Sequence, residues 1–266
     1  MSDAGVRLDQ WLTRHGYAET RSRAQWLIDS GQVWVNDRQC CKPAFLMPDA
    51  CQVEIRGPGL PYVSRGGLKL ARALQAFGVP VRGLVALDVG ASTGGFTDCL
   101  LQHGAQRVYA LDVGTGQLAA VLREDPRVVV LEGCNLRTFQ AAALAESVDL
   151  ITVDVSYISL TLVLPLLPPF LRPGGLVVAL VKPQFEVGAG YVGRAGVVRD
   201  ARRRQLAVSR VLDVANATGF RVLQTVESPR SHAQGNREVF AYLCWKVEPT
   251  TGGAGPTSRR ASPVNS

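Results

Sequence analysis

Five apolar runs, at 85–89, 107–111, 128–131, 150–153 and 176–181, recur along the middle of this chain with longer stretches of helical pattern between them. Runs that are apolar at nearly every position, not every second one, belong to strands buried on both faces. Such strands pair in parallel, since each intervening helix is long enough to carry the chain back across the sheet. Two further runs, 221–226 and 239–245, follow a helical stretch at 202–218 and close the sheet. The fold class is therefore α/β, with a seven-stranded, mostly parallel, doubly wound sheet over residues 61–248.

Residues 5–60 have a different character. Leu8, Trp11 and Leu12 recur at helical spacing, with Gly16 placed to end the helix. Thr20 is placed as N-cap of a second helix through Ala24, Leu27 and Ile28, closed by Gly31. Val33–Val35 and Gln52–Ile55 have strand composition, with Asn36-Asp37 as a turn. Two helices and a few strands make a small α+β domain, with Trp11, Trp26 and Trp34 expected in its core. The glycines and prolines of 57–63 have linker composition, and the Gly, Ser, Thr and Pro of 249–266 that of a disordered tail.

Net charge is +7 with a pI near 9.3, which favours a polyanionic partner. Residues 1–60 are nevertheless neutral, so nucleic-acid binding there has to come from arrangement. The six cysteines form no CxxC pair and have no histidine at ligand spacing, so no metal is expected and a reducing cytoplasm suits them. The N-terminus lacks the pattern of a signal peptide, and the oily stretch 160–171 is short and broken by three prolines. No membrane role is expected.

The run Ala86-Leu-Asp88-Val-Gly90-Ala-Ser92-Thr-Gly94-Gly95-Phe96 follows the first strand and opens a helix. Glycines there let the backbone approach a ligand closely, and helix-start amides face its polar end. The spacing departs from the GxGxxG of dinucleotide sites, and Asp88 would repel a pyrophosphate. Aspartate at that point suits a cationic ligand with an amino-acid end. Asp112, ending the second strand, is placed for ribose hydroxyls, and Asn135, after the third, for an adenine. Asp88, Gly90, Ser92, Gly94, Gly95, Phe96, Asp112 and Asn135 together fit S-adenosyl-L-methionine.

Only four basic residues are lysine, and two of these fall where chemistry is expected. Unlike arginine, a lysine can be brought to release its proton. Lys182 follows the fifth strand and Asp154 the fourth, so the sheet brings both to the ligand edge. Glu238 precedes the last strand and could orient a lysine; Lys69 enters from the helix before the first strand. The fourth strand lacks the Asn-Pro-Pro-Tyr type of motif used in base N-methylation, so an alcohol acceptor is expected.

The main domain resembles the heat-shock-type (FtsJ-like) ribose 2′-O-methyltransferases, whose Lys-Asp-Lys-Glu set falls in order on Lys69, Asp154, Lys182 and Glu238. Residues 7–43 resemble an RNA-binding module of the αL type named after a small-subunit ribosomal protein, through Arg7-Leu-Asp-Gln-Trp-Leu, Thr20-Arg-Ser-Arg23, Gly31-Gln-Val-Trp-Val-Asn36 and Lys42-Pro43. The whole chain, over about residues 5–245, resembles the TlyA family, often labelled haemolysins. Ser64-Arg-Gly-Gly-Leu-Lys69-Leu, Asp154-Val-Ser156, Lys182-Pro-Gln-Phe-Glu186 and Gly193-Arg-Ala-Gly-Val-Val-Arg199-Asp200 carry that likeness. Departures are Gly59-Leu-Pro at the linker and Ser231-His-Ala-Gln before Gly235.

The resemblance implies a Rossmann-like methyltransferase acting as a monomer on cytidine 2′-hydroxyls of rRNA in ribosomal subunits, 16S, 23S or both. Arg7, Arg21, Arg23, Asn36, Lys42 and Arg65 are the implied RNA contacts, and Lys182 the group aimed at the hydroxyl, as base if neutral or orienting donor if charged. Two other classes compete. A pore-forming haemolysin needs a membrane segment the sequence does not show. A non-catalytic RNA-binding protein leaves the four-residue set without a task.

Overall fold

The structure is a computed structural model that describes residues 5–18, 20–193, 196–229 and 235–246. The expected tail at 249–266, the loop at 231–234 and Arg194 lie outside the described residues.

The small domain is built from α1 (Leu8–Arg14), α2 (Arg21–Asp29) and a three-stranded antiparallel sheet. Its strands are β1 (Val33–Val35), β2 (Arg38–Gln39) and β3 (Val53–Ile55), with β1 central. Thr20 caps α2 by accepting from the Arg23 amide at 3.1 Å. Asn36 and Asp37 both have positive φ, 48° and 58°, the two-residue turn whose twist matches a β1–β2 hairpin. Leu8, Leu12, Ile28, Val33 and Met47 fill the core. Trp11 is buried and Trp26 packs at the core's edge, but Trp34 departs from the expectation. Strand alternation turns it away from the side that Val33 and Val35 bury, and the Arg56 guanidinium lies over its ring at 4.5 Å.

The main domain opens with α3 (Arg65–Phe77) and β4 (Val85–Val89), then α4 (Gly95–Gln102), β5 (Arg107–Asp112), α5 (Ala120–Arg123) and β6 (Val128–Glu132). There follow β7 (Val148–Val153), α6 (Leu160–Val163), β8 (Leu171–Val181), α7 (Pro183–Glu186), α8 (Ala201–Ala217), β9 (Phe220–Glu227) and β10 (Val239–Trp245). These strands form a seven-stranded sheet in the order β6-β5-β4-β7-β8-β10-β9. The first five run parallel, while β10 pairs antiparallel with both β8 and β9.

Leu70, Leu74, Phe96 and Leu100 from α3 and α4 pack one face of the sheet against Ala86, Val108, Leu150 and Val178. On the other, Leu160, Leu164, Val211 and Ala215 cover Leu87, Ile151 and Val177. Burial of each such leucine stabilises the fold by about 1.5–3 kcal/mol. Two crossovers contain less helix than the sequence pattern suggested. Between β5 and β6 only the four-residue α5 forms, and between β6 and β7 only a 3-10 turn at Ala141–Ala143. Gly114, Gly116 and Gly133 make those segments loops, and the first two lie beside the ligand edge.

The linker is pinned rather than free. Val63 donates to Asp98 on α4 (2.8 Å), and Gln102 donates to the Pro61 carbonyl (2.8 Å). From the small domain, Gln32 accepts from Gly59 and Arg23 donates to the Tyr62 carbonyl. The domains therefore meet along one edge of the glycine-rich loop.

Candidate active site

The point where strand order reverses, between β4 and β7, opens at its carboxyl end into a cleft of about 480 Å³. Gly90, Ala91, Ser92, Thr93, Gly95 and Phe96 form its floor; Lys69, Asp154, Ser156 and Lys182 stand along one side. Thr20, Arg23 and Leu60 reach it from the small domain and linker.

The glycines of the loop do separate jobs. A Cβ on Gly90 would lie 2.6 Å from the Asp154 carbonyl oxygen, so glycine lets β4 and β7 diverge with the loop seated between them. Gly94, at φ 95°, packs instead against Leu118 and Leu122, where a Cβ would fall within 2.2 Å of Leu122. It serves packing and does not line the cleft.

Asp88 differs from its expected place. It is fully buried and does not line the cleft; its carboxylate accepts from Thr97 Oγ1 at 2.7 Å and Thr152 Oγ1 at 2.9 Å. Every position of β4 is buried, so the aspartate points inward, where it joins β4, β7 and α4 beneath the loop. Burial pushes its carboxyl up to about 7, against the lowering effect of the two threonines.

Asp112 holds the loop from the other side, accepting from the Ser92 amide (2.8 Å) and the Gly114 amide (2.7 Å). Asn135 is exposed, and its Oδ1 accepts from the Arg137 amide, so its side chain is engaged in a local turn after β6. Neither lines the cleft.

The four proposed catalytic groups form two ion pairs. Lys182 Nζ lies 2.7 Å from Asp154 Oδ1 and donates to Ser156 Oγ at 2.9 Å. Lys69 Nζ lies 2.6 Å from Glu238 Oε2, each side chain about 15% exposed or less. Glu238 does not line the cleft; it acts behind Lys69. Among the described residues, no three His, Cys, Asp or Glu side chains gather as a metal site.

A family profile for FtsJ-like methyltransferases matches residues 62–245, and one for the S4 domain matches residues 6–46. The 16S/23S rRNA (cytidine-2′-O)-methyltransferase TlyA of Mycobacterium tuberculosis is 44% identical over 90% of this chain and 89% of its own length. Hemolysin A of Brachyspira hyodysenteriae is 40% identical, over 90% of this chain and 99% of that protein. The chain belongs to the TlyA family of methyltransferases. A solved structure of a candidate hemolysin from Streptococcus thermophilus superposes with a TM-score of 0.73 at 40% identity, covering 93% of this chain and 91% of the other.

The RNA contacts implied for a TlyA-family chain are not equally presented. Arg7 and Arg21 both pair with Asp9, at 3.1 and 2.8 Å, and Gln25 donates to the same carboxylate. Asp9 is wholly buried yet held far below the usual carboxylate range, because three side-chain donors outweigh burial, its largest single influence. The two arginines are thus oriented from beneath with their outer edges exposed. Asn36 Oδ1 accepts from Gln52 N, just before β3, so that residue ties the β1–β2 turn to the neighbouring strand. Lys42 is exposed. Arg23 and Arg65 line the cleft itself, and burial lowers the Arg65 pKa from its ordinary value against the pull of Asp29.

The sequence did not single out Ser156 as the third partner of Lys182, nor Thr20 and Leu60 as cleft residues. Ser156, two residues after Asp154 at a strand end, carried a usable signal. The other two did not, because an interdomain wall leaves no periodicity in either domain.

Proposed function

We propose that this protein transfers a methyl group from S-adenosyl-L-methionine to cytidine 2′-hydroxyls of rRNA within ribosomal subunits, in the cytoplasm. The observation that carries the reading is the Lys182–Asp154 pair on the same cleft as the glycine loop and Lys69. The names of the relatives support the acceptor, and the small domain's family supports an RNA partner.

The cleft fits the cofactor in volume and chemistry. Ligand sites of drug-sized molecules occupy roughly 300–1,000 Å³. Gly90, Ser92, Gly95 and Phe96 would hold its amino-acid end and sulfonium neighbourhood; Asp112 fixes the loop through the Ser92 amide and Asp88 supports it from below. When bound, the cofactor supplies an electrophilic methyl group.

The protein's own task is to place one ribose oxygen in line and relieve its proton. Lys182, fixed by Asp154 and Ser156, holds the hydroxyl oxygen. Asp154 is the carboxylate beside the hydroxyl that takes up its proton as the new C–O bond forms. Lys69, held by Glu238, adds positive charge on the same side of the cleft, where the phosphodiester of the target nucleotide enters. Arg7, Arg21, Arg23, Lys42 and Arg65 bind RNA phosphates.

The test is transfer of labelled methyl from S-adenosylmethionine to ribosomal subunits lacking the modification. Label should enter rRNA and fall by roughly 10²–10⁴-fold in Lys182→Ala. A Lys182→Ala protein of near-normal activity would remove lysine from the mechanism. Cofactor binding without transfer to subunits, ribosomes or free rRNA would move the acceptor elsewhere. Absence of cofactor binding would favour a non-catalytic RNA-binding role.

A further inference from the structure

Lys182 and Asp154 sit on different loops, one after β8 and one after β7, and their short contact alone does not hold two loops together. That pair ties the loops only at their cleft edge. A second connection lies deeper. Glu186, at the end of α7, is only 6% exposed, and its carboxylate reaches back to the start of α6. Oε1 accepts from the Leu160 amide at 2.8 Å, and Oε2 accepts from Ser159 Oγ at 2.5 Å. Ser159 is itself the N-cap of α6, accepting from the Thr161 amide at 3.1 Å.

The two loops are therefore joined twice. At the cleft, Lys182 meets Asp154 and Ser156; inside the protein, Glu186 meets Ser159 and Leu160. Three residues separate Lys182 from Glu186, and four separate Asp154 from Ser159. Short spans of chain between two fixed points leave the ends little room to move.

Burying a carboxylate this far is unfavourable unless its acceptor capacity is used. An apolar side chain would serve packing at less cost. Burial raises the Glu186 pKa, opposed by Ser159, Leu160 and the charge of Arg210. What an acid does here that an apolar residue cannot is cross-link two catalytic loops at a defined spacing.

We infer that Glu186 is a positioning residue for methyl transfer, its carboxylate bracing the Asp154–Ser159 loop against the strand end that presents Lys182. The inference rests on the proposed function for its kinetic part and stands apart from it in its structural part. Displacing a reacting group by an ångström or so costs on the order of 10²-fold in rate. Loss of the brace should lower kcat with little effect on cofactor binding, because Glu186, Ser159 and Leu160 do not line the cleft.

The experiment compares wild type, Glu186→Ala and Glu186→Gln as full-length proteins. Glutamine keeps one oxygen for the Leu160 amide and offers Ser159 a donor in place of an acceptor. Single-turnover methylation of unmodified ribosomal subunits should fall about 10–100-fold in Glu186→Ala, with KM for S-adenosylmethionine unchanged, and recover largely in Glu186→Gln. Beside it, the labelling rate of Lys182 by an amine-reactive reagent, read by peptide mass spectrometry, should rise in Glu186→Ala and return in Glu186→Gln. Should Glu186→Ala fail to fold, Ser159→Ala removes one arm of the brace and carries the same expectation at smaller size. Wild-type kcat and wild-type Lys182 labelling in a folded Glu186→Ala protein overturn the inference, as does a glutamine variant as impaired as the alanine one. If wild type methylates no rRNA, the proposed function fails while the Lys182 labelling still decides the role of Glu186.

Discussion

Asp88 couples the folding of this protein to pH. Its carboxyl, buried beneath the glycine loop, is raised to about 7 from an unfolded value near 3.9. A raised folded-state pKa means that the native state holds the proton more tightly than the unfolded chain. The stability this contributes is complete below the unfolded pKa and is lost as pH climbs toward 7. Asp88→Asn keeps the shape, leaves one oxygen to accept from a threonine and offers the other threonine an N–H donor, but cannot ionise. Its stability relative to wild type should therefore climb between about pH 4 and about pH 7, measured by urea denaturation across that range. A constant offset at every pH would mean that Asp88 ionises alike in both states. The sequence places Asp88 against the amino-acid end of a cationic ligand, whereas the structure buries it away from the cleft lining. Every neighbour on β4 is buried, so no alternation told which way the side chain points, and Thr152, its second partner, is 64 residues away.

At the scale of elements, the loop between β5 and α5 depends on one glutamate at the end of β6. Glu132 accepts from the amides of Gly116, Gln117 and Leu118 and pairs with Arg123 at 2.6 Å. Gln117 lines the cleft and lies 3.3 Å from Ser92 Oγ, so this clamp sets part of the cleft wall. The Arg123 hydrogen bond, ahead of the three amides, holds the Glu132 carboxyl down at about 2. A depressed folded-state pKa gives stability that is present above the ordinary carboxylate value and lost as pH falls toward 2. Hydrogen exchange at amides 116–118 should stay slow down to about pH 4 and quicken below it, after correction for the intrinsic rate. Arg123→Ala should move that loss to higher pH and weaken cofactor binding; identical profiles would show that the loop is ordered by something else. The strands were legible because burial on both faces writes itself as unbroken apolar runs. Glu132 was not, since a carboxylate that binds backbone amides is indistinguishable in sequence from any acid at a strand end.

For the molecule as a whole, the cleft belongs to both domains. The sequence assigns Arg23 to RNA and the glycine loop to the cofactor, about 70 residues apart, and each pattern is complete without the other. In three dimensions Arg23 lines the same cleft as Gly90 and Ser92 and donates to the Tyr62 carbonyl of the linker. Lys42, on the same small domain, does not reach it. The two residues consequently separate two effects of the small domain. Lys42→Ala should weaken binding to rRNA, reduce the salt slope by about 0.7–0.9, and leave the affinity for S-adenosylmethionine as it was. Arg23→Ala should weaken both, because Arg23 is a proposed phosphate contact and also lines the cleft proposed for the cofactor. The measurement is calorimetric titration of cofactor into each protein, beside rRNA binding at several salt concentrations. Equal cofactor affinity in wild type, Lys42→Ala and Arg23→Ala would mean that the small domain only delivers RNA. A deficit confined to Arg23→Ala would mean that it also builds the site in which the methyl group is transferred.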